Sequence, residues 1–157
     1  MFFDLIVVGG GAAGFFSAIT CAENSGKSVL ILEKTSQLLQ KVKISGGGRC
    51  NVTHDCFEPR ELSRNYPRGE KSLIGPFHRF GAADTVNWFS RRGVTLKTEA
   101  DGRMFPDTDS SQTIIDALLG AADAAGVAIH TSEGVTSIVK NEDNFELETD
   151  TGDSYTA

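Results

Sequence analysis

The chain has 157 residues, 39% of them apolar and 23% charged, and a formal net charge of −6. That is enough apolar content for a globular core, and the wrong sign for a surface whose principal partner is a nucleic-acid backbone. The only long apolar start is interrupted by Gly9 and has no cationic flank, so neither a membrane-spanning helix nor a signal peptide is expected.

Residues 5–8 (Leu-Ile-Val-Val) read as a buried strand that runs into Gly9, Gly11 and Gly14 of a G-x-G-x-x-G pattern. The three glycines serve different steric needs. Gly9 makes the sharp turn, Gly11 lets backbone approach a pyrophosphate, and Gly14 lets a helix pack closely on the sheet. A helix over residues 11–24 follows, with Ala12 and Ala13 in its first turn and Ala18, Ile19 and Ala22 toward the sheet. Its free N–H groups face an anion. Residues 28–32 form a second strand ending in Glu33, 19 residues beyond Gly14. A carboxylate there accepts hydrogen bonds from adenosine ribose hydroxyls and repels a 2′-phosphate. Strand, glycines, helix, strand and acid occur in the order of a βαβ dinucleotide site.

A second glycine triplet, Gly46, Gly47 and Gly48, begins 37 residues after Gly9, inside Ser45-Gly46-Gly47-Gly48-Arg49-Cys50-Asn51. With Arg49 it presents backbone donors and a guanidinium fork to anionic oxygens, where the alternative is a flexible linker. Three cysteines without a C-x-x-C pair point to a reducing compartment, hence a cytoplasmic protein. Cys50, His54 and Cys56 lack the fourth ligand of a closed zinc site, and no metal is expected. Cys50 reads as a redox thiol or a small residue touching a cofactor, Cys21 as core.

Residues 55–108 read as an excursion from the sheet. Pro59, Pro67, Gly69, Gly75 and Pro76 break every period up to Arg79, and Arg64, Tyr66 and Arg68 read as surface loop, with reaching a substrate as the alternative. A short helix from Ala83 stops at Gly93 in the C′ position. Residues 94–99 alternate like a strand, Asp101-Gly102 is a turn, and residues 103–106 are the partner strand of a hairpin. Asp109-Ser110-Ser111-Gln112 resembles a capping box opening a helix with Ile114, Ile115, Leu118, Leu119 and Ala122 on one face, which Gly126 stops. Residues 127–130 follow as a third parallel strand after this crossover helix. Strand signals at residues 135–139, 145–149 and from Ser154 make a β-meander over 135–157. The plan is an α/β doubly wound sheet without its second half, so a fragment is expected.

These residues resemble the N-terminal portion of the HI0933-like flavoproteins, also called YhiN or BaiN-type FAD-dependent oxidoreductases. The resemblance rests on Val7-Val8-Gly9-Gly10-Gly11-Ala12-Ala13-Gly14, on Leu32-Glu33-Lys34, on Lys41, on residues 44–53 with their Ser-Gly-Gly-Gly-Arg-Cys-Asn string, and on Gly102-Arg103-Met104-Phe105-Pro106. The chain departs at Leu39-Gln40, where members often have a glycine and a basic residue, and at His54, where asparagine is common.

The resemblance implies a partial glutathione-reductase-like FAD-binding domain of Rossmann type, 1–157 being its N-terminal part. An inserted second domain and the C-terminal half of the FAD site would be absent. Carried over by position, Gly9, Gly11, Ala12, Ala13 and Gly14 would hold the FAD pyrophosphate and Glu33 the adenosine ribose, with Lys34 and Lys41 nearby. Ser45, Gly46, Gly47, Gly48, Arg49, Cys50 and Asn51 would serve the pyrophosphate and flavin side, and Val135 the adenine through its backbone. Such chemistry belongs to the flavin: hydride or electron transfer to or from a small-molecule substrate, with NAD(P)H among the candidate electron donors. His54 and Arg103 are candidates to face substrate, His54 having a loop hydrogen bond and Arg103 a neighbouring carboxylate as the other option. No catalytic acid or base is assigned. Two alternatives stand beside this reading: an NAD(P)-binding domain without flavin, and a non-catalytic remnant or interaction module that self-associates through an exposed sheet edge.

Overall fold

The computed structural model describes residues 1–157 as two compact units, Met1–Val42 with Leu118–Ala157, and Lys43–Ala117. In chain order the elements are β1 (Leu5–Val8), α1 (Ala12–Ser25), β2 (Val29–Glu33), α2 (Gln40–Ile44), β3 (Thr53–His54), α3 (Pro59–Ser63), α4 (Glu70–Arg79), α5 (Ala82–Ser90), β4 (Leu96–Thr98), β5 (Arg103–Pro106), α6 (Ser111–Ala124), β6 (Ala128–Thr131), β7 (Val135–Lys140), β8 (Phe145–Thr149) and β9 (Ser154–Thr156). No helix is long and apolar enough to cross a membrane.

The first unit is built on a parallel sheet of order β1-β2-β6. Central β2 has Val29, Leu30, Ile31 and Leu32 all buried, the continuous apolar run of a strand covered on both faces. Phe15, Ala18, Ile19 and Ala22 are the buried stripe of α1, as the helical period predicts. Gly26 ends α1 in the left-handed conformation, its N–H bonded to the Ala22 carbonyl. A polar clasp sets the β1–β2 register: the Asp4 carboxylate accepts from the Ser28 N–H (2.9 Å), the Ser28 hydroxyl (2.7 Å) and Lys27 Nζ (3.1 Å). The antiparallel meander β7-β8-β9 packs on this sheet through a cluster of Leu30, Leu32, Leu147 and Tyr155. The third parallel strand and the meander thus lie where the sequence predicts them. Cys21, expected in the core, is only half-buried, with its Sγ 3.7 Å from Ser25 Oγ.

The second unit carries the sheet β3-β5-β4. The predicted hairpin is β4–β5, turning at Gly102 (φ +83°), but β3 pairs with β5 as well. A two-residue strand has no period to read. The stretch read as irregular contains α3 and α4. Pro59 occupies the first turn of α3, and the Glu58 carboxylate caps it by accepting from the Glu61 N–H at 2.8 Å. Pro76 sits inside α4 and costs that helix one hydrogen bond without ending it. Gly93 terminates α5 as expected: its N–H reaches the Ser90 carbonyl and that of Val94 reaches Phe89, a Schellman pair. The capping-box reading of residues 109–112 is corrected. Ser110 caps α6 by accepting from the Gln112 N–H at 3.3 Å, while Asp109 lies outside in a left-handed conformation (φ +54°) and turns its carboxylate to cations.

Candidate functional site

In the first unit, the C-terminal ends of β1 and β2 and the N-terminus of α1 enclose a cavity of about 610 Å³. Its wall includes Val8 through Gly14, Glu33, Lys34, Thr35, Leu39 and Lys41. Ligand sites are typically of this volume, and here the strand-to-helix turn supplies backbone donors, because no side chain caps α1.

The three motif glycines differ visibly in what they do. Gly9 has φ +109°, which a side chain resists. A Cβ on Gly14 would strike the carbonyl oxygen of Gly9 and come within 3.2 Å of Val7 Cγ1, so this glycine lets α1 approach β1. A Cβ on Gly11 would meet nothing within 4 Å. It would project into open space, and Gly11 has an ordinary extended backbone (φ −89°, ψ 179°). Nothing internal requires glycine there.

Glu33 shares this wall. Its Oε2 accepts from the Gly10 N–H (2.8 Å), and its Oε1 accepts from the Thr35 N–H and hydroxyl (both 2.9 Å). Partial burial pushes its pKa up, but the bonds from Thr35 and Gly10, helped by Lys34, outweigh burial and hold the carboxyl below its ordinary value. It is therefore an anion at neutral pH. Three of the roughly four acceptor positions of a carboxylate are in use. One position is left for a hydroxyl. Lys34 and Lys41 put two cations on the same wall. Leu39, at the position where a glycine is common, has φ +56° and is 1% exposed, so packing holds a left-handed leucine in place. Val135 starts β7 and packs beside the Leu30 cluster, off the wall of this cavity.

In the second unit, residues 45–48 form a tight 3-10 turn in which Gly46, Gly47 and Gly48 have φ of +55°, +69° and +87°. Three successive left-handed residues are accessible to glycine and to little else. A Cβ on Gly46 would lie 2.8 Å from Phe105 Cε1 and 2.9 Å from Asn51 N, whereas on Gly47 it would meet nothing. Cys50 is also left-handed (φ +62°) and buried, and burial pushes its thiol up despite a hydrogen bond with Ser45. A raised pKa argues against the redox-thiol reading. Cys50, His54 and Cys56 do not converge into a group that could hold a metal ion.

Arg49 departs from expectation. Its Nη1 is bonded to Glu99 and lies 3.5 Å from Asp109, and its guanidinium stacks 4.1 Å over the Phe105 ring. The bond to Glu99 is the main cause of a pKa pushed up from the ordinary value. One nitrogen of that guanidinium, Nη1, is engaged by protein carboxylates. Lys97 also pairs with Asp109, and Arg103 pairs with Asp101 (2.8 Å) and with Glu99 (3.7 Å). Arg103 therefore takes its carboxylate option. His54 Nε2 lies 3.0 Å from the Asp101 carbonyl, against the hairpin turn. Arg64 pairs with Glu61 on α3, and Tyr66 stacks on Phe77 at 5.4 Å.

Sequence reasoning missed one cluster in the first unit. Tyr155 donates to Glu133 Oε1 at 2.5 Å, and His130 Nδ1 lies 2.8 Å from Tyr155 Oη and 3.2 Å from Glu133 Oε2. Burial first, and Glu133 second, push the Tyr155 phenol well up. The three residues come from β6, the loop after it and β9, and no local pattern links them.

Fold and cradle together define a Rossmann-type α/β domain with a cleft at the glycine turn. The sequence model of the HI0933-like protein Rossmann domain matches residues 3–157, and the chain belongs to that family. A ribosomal RNA dihydrouridine synthase of Escherichia coli (strain K12) is 33% identical over 146 residues, 93% of this chain and 35% of that protein. A 3-dehydro-bile acid delta(4,6)-reductase of Clostridium scindens is 26% identical over 92% of this chain and 34% of its own length. Among solved structures, a 3-ketosteroid-delta4-(5alpha)-dehydrogenase from Rhodococcus jostii RHA1 is similar in fold, with a TM-score of 0.71 at 18% identity over 99% of this chain and 43% of that one. The chain spans about a third of the length of the curated relatives it matches.

Proposed function

We propose that this chain supplies the ADP-binding cradle of an FAD-dependent oxidoreductase that reduces a carbon–carbon double bond conjugated to a carbonyl. The observation that carries the cofactor reading is the pairing of an open Cβ direction at Gly11 with an ionised Glu33 and two lysines on one cavity wall. The first-turn amides of α1, at Ala12, Ala13 and Gly14, take the pyrophosphate, Lys34 and Lys41 offset its charge, and Glu33 accepts from the ribose. An ionised Glu33 disfavours the 2′-phosphate of NADP in this cradle. FAD, when bound, supplies the hydride chemistry. Residues 45–51 form a second cofactor-facing loop and Val135 an adenine contact; these two assignments rest on the family resemblance.

The substrate class rests on what the relatives' names share. Dihydrouridine is uridine with its conjugated ring double bond saturated, and a delta(4,6)-reductase saturates ring double bonds of a 3-oxo steroid. NAD(P)H is the proposed electron donor, the cytoplasm the proposed location. A small-molecule enone is favoured over RNA because this chain carries a net charge of −6 and no basic stripe is evident in its sequence. Self-association through the free edge of β7, which pairs only with β8, is the proposed contact between copies.

The test is retention of flavin. Purified protein mixed with FAD and passed through gel filtration is expected to carry the flavin absorbance near ~450 nm, and to prefer FAD over FMN and NADP+. Failure to retain FAD, or equal retention of NADP+, removes the cofactor reading. Offering an enone and a uridine oligoribonucleotide to the reduced, FAD-loaded protein separates the two substrate classes.

A further inference from the structure

We propose that Arg49 is a positioning residue that anchors the triple-glycine loop, and that it is not a ligand of the cofactor's phosphates; this rests on the reading of residues 45–51 as a cofactor-facing loop. The loop needs an anchor. Gly46, Gly47, Gly48 and Cys50 are all left-handed, and the Arg49 and Cys50 amides close the turn on the Ser45 carbonyl. Glycines lose more conformational freedom on ordering than any other residue, so such a turn has little intrinsic order.

Arg49 supplies what is missing. Its guanidinium covers the ring of Phe105, which is 0% exposed, while Gly46 approaches the same ring so closely that a Cβ would lie 2.8 Å from Cε1. The loop therefore grips Phe105 at both of these points. Glu99 and Asp109 then hold the guanidinium from two separate segments of the unit. Planar stacking combined with forked bonding suits arginine, and lysine does not reproduce it. At Nη1 an anion would compete with two carboxylates already there, and every carboxylate in this chain of ion pairs is matched by a cation, leaving no surplus positive charge.

The deciding experiment uses Glu99→Gln with Asp109→Asn, and separately Arg49→Lys. Gln and Asn keep the shape and an acceptor, and asparagine suits the left-handed backbone of Asp109. Two quantities are read: FAD affinity by flavin fluorescence, at two salt concentrations, and hydrogen exchange of the Arg49 and Cys50 amides in the cofactor-free protein. The expected result for both variants is FAD binding weaker by about tenfold, an unchanged salt dependence, and exchange at the two amides faster by about tenfold. Were Arg49 a phosphate ligand, releasing it from its carboxylates would tighten FAD binding and steepen the salt dependence while leaving the amides protected, and that result overturns the proposal. If the unsubstituted protein retains no FAD, the cofactor reading fails, and the exchange of the two amides still decides whether Arg49 anchors the loop.

Discussion

Two alanine substitutions in the first glycine turn, Gly11→Ala and Gly14→Ala, separate what that turn does for the fold from what it does for a ligand. At Gly14 the new Cβ would strike a backbone carbonyl, that of Gly9, which moves only if β1 and α1 move apart. Replacing glycine by alanine inside a helix ordinarily gains ~0.5–1 kcal/mol, while overpacking costs roughly 1–3 kcal/mol and more where backbone is the obstacle. The net expectation is a loss of ~1–2 kcal/mol, or a melting temperature lower by about 3–8 °C for a chain of this size. At Gly11 the new Cβ meets nothing and the backbone is already in a region that alanine adopts. A weaker N-cap costs a few tenths of a kcal/mol and the stiffer unfolded chain returns about as much, so stability stays within ~0.5 kcal/mol. The methyl group nevertheless stands where the proposed pyrophosphate would approach, and FAD affinity should fall by at least about tenfold. Differential scanning fluorimetry without cofactor and FAD titration provide the two readouts. Equal destabilisation by both variants, or normal FAD binding by Gly11→Ala, would falsify the division of labour.

The second triplet should show a similar gradient: Gly47→Ala meets only the left-handed penalty of ~1–2 kcal/mol, whereas Gly46→Ala adds a collision with Phe105 and Asn51 and should melt measurably lower. Equal melting temperatures for the two would contradict the packing of the loop. Tyr155→Phe strands the buried Glu133 carboxylate with His130 as its remaining partner and should cost ~1–3 kcal/mol by denaturant titration, a neutral result arguing against the cluster as a structural tie. Asp4 is held down to about 2 by the Ser28 hydroxyl first, then by the Ser28 amide and Lys27. Because the folded value is depressed, the clasp it makes is at full strength above the ordinary carboxylate range and is lost as pH falls through about 2. A carbon-13 titration should place the Asp4 midpoint there, and a midpoint near ~4 would mean that the β1–β2 clasp is not formed in solution.

The parallel sheet is legible in the sequence because each of its signals has one cause. Val29 through Leu32 are apolar without alternation, and a strand buried on both faces leaves no solvent side for polar residues. Gly26, Gly93 and Gly126 each end a helix with positive φ, which few other residues tolerate. The stretch from Asp55 to Arg79 resists reading, because its glycines and prolines have the weight of breakers. The helix signals are nevertheless present: Glu58 before Pro59 is a cap followed by a proline in the first turn, and Glu70 with His78 and Arg79 places acid and base at the ends their charges favour. Pro76 obscures them, because a proline in the last turns of a short helix costs one bond rather than the helix. The cluster of His130, Glu133 and Tyr155 leaves no trace of any kind. It depends on a meander strand folding back over β6, and such proximity is a product of topology, not of spacing.

Charged residues beside glycine turns show where sequence spacing stops being informative. Spacing puts Glu33 and Arg49 each at a ligand, because a carboxylate suits a ribose and a guanidinium suits a phosphate. In the folded chain both first serve their own loops, Glu33 by holding the Gly10 and Thr35 amides, Arg49 by joining Glu99, Asp109 and Phe105. The physical reason is common to both. A turn rich in glycine has little order of its own, and a charge-assisted hydrogen bond is among the strongest local contacts that can restrain it. The two then part by the bonding capacity each has left. Glu33 keeps an acceptor position on a cavity wall, so bracing the loop and binding a hydroxyl are compatible and each improves the geometry of the other. Arg49 meets carboxylates of its own unit at Nη1, so there anchoring and anion binding compete, and under the proposed role the nearer, already ordered partners hold it.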